Sequence, residues 1–94
     1  MDFGKIMMRK LIISRIKKRI GVDKFINLKF TVHGDGKVEV VVNLEKHPDQ
    51  TLDKEELKEI KNHIGEFDML EGEIEQTGIN FKIQKNGKWQ EIHF

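Results

Sequence analysis

Apolar residues follow two periods along the chain, and the change of period marks its elements. In the opening segment Ile6, Ile13 and Ile20 recur every seven positions, with Ile16 between and Ile12 widening the same face, which is helical spacing. Met7 and Leu11 lie nearly opposite that stripe. The helix is therefore apolar on two sides and calls for two burying surfaces or a second copy of the chain. Arg9 falls where a coiled-coil seam would want an apolar residue, so the pattern predicts a core helix. Gly21 is its natural stop, and residues 1–5, with weak pattern, read as an arm.

From Phe25 to His33 the period drops to two: Ile26, Leu28, Phe30 and Val32 face one way and Asn27, Lys29, Thr31 and His33 the other. Val38, Val40, Val42 and Leu44 repeat the alternation after Gly34-Asp35-Gly36. A three-residue loop pairs Val32 with Val38, Phe30 with Val40, Leu28 with Val42 and Ile26 with Leu44. A two-residue loop would turn every one of those side chains to the wrong face, so the register selects the longer loop.

His47-Pro48-Asp49-Gln50 breaks the alternation, and Asp53 then opens a second helix. Glu56 stands three residues on to close a capping box, and Leu52 and Leu57 form a hydrophobic staple. Leu57, Ile60, Ile64 and Phe67 face inward, Gly65 is the exit, and Lys54, Glu55, Lys58, Glu59 and Lys61 make a solvated face. The last third reads as three strands, 69–76, 79–85 and 88–94, with a turn at Thr77-Gly78 and a tight hairpin at Asn86-Gly87. That hairpin opposes Ile83 with Gln90, Phe81 with Ile92, Lys82 with Glu91 and Gln84 with Trp89.

The order α-β-β-α-β-β-β predicts an α+β fold, an antiparallel five-stranded sheet with two helices packed on one face. In element order it resembles the profilin-like and roadblock-type scaffolds without their terminal helix, and cystatin-like folds with a helix inserted. No family motif accompanies the resemblance, and such scaffolds serve many functions, so it implies no activity.

Composition narrows the classes. Ninety-four residues, 37% hydrophobic and 35% charged, suit one domain over residues 1–94 and not a disordered chain. There is no cysteine, which excludes disulfides, a thiolate nucleophile and a thiolate zinc site. Arg9 and Lys10 split the apolar runs of the first helix, and its charges follow its apolar residues, the reverse of a secretory signal. A cytoplasmic location without a membrane partner is the expectation.

Charge is divided along the chain. Residues 1–20 carry Lys5, Arg9, Lys10, Arg15, Lys17, Lys18 and Arg19 against Asp2, a net +6; since the whole chain is +1, the remainder is −5. A basic helix joined to an acidic body either addresses an anionic partner such as nucleic acid, through Lys5, Arg9, Arg15, Lys17, Lys18 and Arg19, or lies against acids of its own chain or of a twin. Against nucleic acid, no aromatic residues interleave with the cations as base-stacking platforms would.

Catalytic constellations are lacking. His33, His47, His63 and His93 show no short ligand spacing, and Ser14, the only serine, sits among isoleucines and cations. Glu71, Glu73 and Glu75 share one face of a strand, where three carboxylates suit a protein-binding acidic surface, a hard cation, or an edge strand guarded by charge; the edge strand is the simplest reading. Trp89 is either an outward anchor with Val41 and Lys82 or buried beneath the first helix. Together these features predict a non-enzymatic module without cofactor or metal. It binds another protein through Met7, Leu11, Trp89, Glu71, Glu73 and Glu75, and pairs as a homodimer through its first helix.

Overall fold

The computed structural model describes residues 3–21, 27–75 and 78–92, with the side chains of 3–9, 19, 20, 78 and 79 excepted. Two helices, α1 (Phe3–Ile20) and α2 (Lys54–Ile64), accompany seven strands: β1 (Leu28–His33), β2 (Lys37–Val42), β3 (Glu45–Lys46), β4 (Gln50–Thr51), β5 (Met69–Glu75), β6 (Gly78–Lys85) and β7 (Lys88–Ile92). Phe3–Lys5, read from sequence as an arm, continue α1. All pairings are antiparallel, in the order β3-β2-β1-β5-β6-β7, with β4 beside the other end of β2. The five expected strands are present, and two short strands extend the sheet beyond five at the β2 side.

The first hairpin has the register that its alternation demands, with Leu28 opposite Val42, Phe30 opposite Val40 and Val32 opposite Val38. Gly36 (φ 98°) closes the loop, its N–H donating to the His33 carbonyl at 2.9 Å. Phe25 and Ile26 lie outside the described residues. Leu44, however, is not an inward strand residue. Asn43 and Leu44 both take positive φ, 51° and 71°, and turn the chain tightly into β3, which pairs Val42 with Glu45 and Val41 with Lys46. Gly78 also differs from expectation: it belongs to β6, opposite Glu75, which leaves Gln76 and Thr77, outside the described residues, between the strands.

β1 runs antiparallel to both β2 and β5, so those two run parallel with β1 between them, and a crossover is required. α2 lies on that crossover. Its first turn has the expected capping box, and Gly65 (φ 85°) ends it, donating to the Lys61 carbonyl at 2.8 Å. Lys61 is not simply solvated: its ammonium donates to the Gly34 carbonyl at 2.9 Å and pairs with Glu66 at 3.3 Å, tying the end of α2 to the first hairpin loop.

One hydrophobic cluster joins Ile12 and Ile16 of α1 and Ile60 of α2 to Leu28, Phe30, Val32, Val38, Val40, Val42, Leu70, Ile74, Phe81 and Ile83 of the sheet. Among the described side chains of α1, Ile12 and Ile16 are buried, with Leu11 and Ile13 half-buried beside them. At the centre of the sheet Gly72 faces Phe30 on one side and Phe81 on the other. The two rings tilt together, 5.9 Å between centroids, across the space a side chain at 72 would fill.

Candidate interaction surface

Alternation sends the other half of each strand to the outer face of the sheet, away from the cluster that holds the helices. Three rows cross that face. One runs Glu39, Thr31, Glu71, Lys82, Glu91; a second Val41, Lys29, Glu73, Asn80; a third His33, Met69, Gln84, Trp89. Trp89 lies on this outer face, not beneath α1, and is 43% exposed. Val41 shares the face but sits on β2, with β1, β5 and β6 between it and β7, so it is no neighbour of Trp89.

Trp89 is held by charge. The Lys82 ammonium lies 4.7 Å from the ring centroid and 3.2 Å from Glu71 Oε2. A cation over the indole and a carboxylate behind the cation hold a ring that stays partly exposed. On the opposite flank of the face His33 Nε2 donates to Glu39 Oε2 at 2.7 Å.

The glutamate row has a different setting from the one its spacing suggests. β5 lies between β1 and β6, so Glu71, Glu73 and Glu75 stand on an interior strand and guard no edge. Lysines answer the first two: Lys82 pairs with Glu71, and Lys29 stands directly across from Glu73. The row is therefore part of a face of alternating sign, and not a bare acidic strip. Among the described residues no group of three or more His, Cys, Asp or Glu is placed to hold a metal ion, and every buried side-chain nitrogen or oxygen has a partner.

The basic helix is partly neutralised from within. Arg15 Nη1 donates to Glu56 Oε2 at 3.1 Å, and Nη2 lies 3.6 Å from Glu59 Oε2, so two acids of α2 hold it against the fold. Lys10 and Lys18 remain on the exposed side, and with Ile13, Ser14, Lys17 and Gly21 they line an open groove along the flank of α1. The side chains of Lys5, Met7, Arg9 and Arg19 lie outside the described ones. Leu11 is half-buried, packed against the chain's own cluster.

One exposed apolar residue escaped sequence reasoning. Leu44, 89% exposed, projects from the β2–β3 turn. The available signal was Asn43, which interrupts the valine run and is followed by Glu45-Lys46, a pattern suited to a turn.

No family model matches this chain, and neither does any curated protein or solved structure. Its class is therefore the one its fold defines: an α+β domain in which two helices and an antiparallel sheet share one core. No helix among the described residues is long and apolar enough to cross a membrane.

Proposed function

We propose that this chain is a small cytosolic, non-enzymatic interaction module, an adaptor, regulator or inhibitor, that binds another protein through the outer face of its sheet. The observation that carries the reading is the Trp89 site. A partly exposed aromatic side chain, set against Lys82 and bordered by Glu71 and Gln84, has the features of an interface anchor. Large aromatic area at low entropic cost supplies affinity, and the alternating charges around it supply register and selectivity. Glu73 and Glu75, both exposed, belong to the same face. The test is capture from the native lysate by immobilised chain, comparing the natural sequence with Trp89→Ala and Lys82→Glu. A protein retained by the first and lost by both variants supports the reading; identical capture by all three contradicts it.

A second reading, nucleic-acid binding, is favoured by the cationic flank of α1, where Lys10, Lys17 and Lys18 stand on one groove. Each phosphate neutralised there would steepen the loss of affinity with salt. Fluorescence anisotropy with DNA and RNA duplexes at two salt concentrations separates the two readings, because a flat response at low salt removes this one.

A further inference from the structure

Leu44 occupies a place where the fold has no use for a leucine. Its φ of 71° lies in the left-handed region that side chains enter at a cost and glycine enters freely, and it is 89% exposed. Asn-Gly would close the same turn without strain and without offering an apolar group to water. A strained backbone holding out a large apolar side chain points to a contact made outside the fold. Glu45 and Lys46, both exposed, follow on alternate faces of β3, and Glu45 stands across from the buried Val42, so the carboxylate flanks the leucine on the side of the sheet that holds the helices.

The complement to that tip is on the same chain. The α1 groove, about 700 Å³ and open to solvent, offers Ile13 as an apolar element and carries Lys10, Lys17 and Lys18 around it. We propose that the Leu44-Glu45 turn of one copy seats in the α1 groove of a second copy, Leu44 against Ile13 and Glu45 among the lysines. Sign and polarity match at both ends of the contact: apolar tip on apolar patch, carboxylate on cations.

The turn is tied to the residue that precedes β1. The Asn43 N–H donates to the Asn27 carbonyl at 2.9 Å, and the Asn27 N–H donates to Asn43 Oδ1 at 3.1 Å. Gly21, just past the end of α1, lines the groove. A two-fold arrangement of this contact seats both turns at once and closes a dimer. The contact leaves the Trp89 face open, so it stands independently of the function proposed above.

Sedimentation velocity over a wide concentration range, at low and high salt, tests it. The natural chain is expected to show a monomer–dimer equilibrium that weakens with salt. Leu44→Gly, which relieves the backbone and keeps the fold, is expected to weaken association at least about tenfold, the order of losing one buried leucine. Glu45→Lys weakens it as well, and adding Lys18→Glu to that variant restores part of the loss. A natural chain that stays monomeric throughout overturns the proposal, as does a Leu44→Gly variant that dimerises unchanged. Association abolished by Trp89→Ala but not by Leu44→Gly would place the contact on the sheet instead and also overturn it. If the chain is monomeric and a DNA or RNA duplex binds with dependence on Lys10 and Lys18, the groove belongs to nucleic acid and the second-copy assignment is wrong.

Discussion

Glu56 bridges both helices: Oε2 accepts from Arg15 Nη1 at 3.1 Å and Oε1 accepts the Asp53 backbone N–H at 2.9 Å. One carboxylate, its side chain 8% exposed, thus caps α2 and anchors α1. Because the Arg15 side chain is 38% exposed, the ion pair is partly screened, and the cap carries much of the energy. Glu56→Ala is expected to cost about 1 to 3 kcal/mol in urea unfolding, from the lost cap and the lost hydrogen bond to Arg15. A double-mutant cycle with Arg15→Ala should give a coupling of about 0.5 to 1.5 kcal/mol; strict additivity would remove the bridge from the account.

Gly72 is required by its neighbours and not by its backbone. A Cβ at that position would overlap the Phe30 ring and come within 2.8 Å of Phe81. Gly72→Ala should therefore destabilise the domain by about 1 to 3 kcal/mol, an overpacking cost, and Phe30→Leu in the same chain should return part of it. A Gly72→Ala variant with unchanged thermal unfolding would mean that the two rings are not packed as described.

Much of this architecture was legible because alternation and turn chemistry agree. The Phe30–Val40 register, the Asp53 cap with Glu56, and the Asn86-Gly87 hairpin each rest on short-range rules. What was hidden depends on strand order. The position of β5 between β1 and β6 turned the apparent guard of an edge into an interior row answered by Lys29 and Lys82, and no local pattern contains that neighbour list. The centre of the α1 stripe was open for a similar reason. Five isoleucines permit several faces, and the choice of Ile12 and Ile16 is made by the sheet they meet. Leu44 deceived by continuing the valine alternation after the strand had ended.

Backbone relief at Leu44 is separable from any association. Leu44→Gly should leave thermal stability unchanged or raise it by up to about 1 kcal/mol, since the gain in left-handed geometry opposes the larger chain entropy of glycine. A loss of more than about 1 kcal/mol in dilute solution would show that the leucine packs within its own fold.

The inner face is tested by charge. Phe30 and Val40, each 1% exposed and paired across β1 and β2, offer no partner to a carboxylate. Substituting either with aspartate is expected to abolish cooperative unfolding, as an unpaired buried carboxylate costs several kcal/mol. A variant that still melts in one sharp transition would reject the assignment of faces.

Trp89 is the only tryptophan, so a chain labelled with nitrogen-15 gives a single indole N–H resonance that reports the proposed binding face. Comparing that resonance in dilute buffer and in native lysate tests the central claim most directly. Protein binding through the outer sheet face predicts that the indole signal shifts or broadens selectively relative to amides of the solvated face of α2, such as Lys54 and Lys58. An indole signal that keeps its position and changes no more in width than those amides would contradict it.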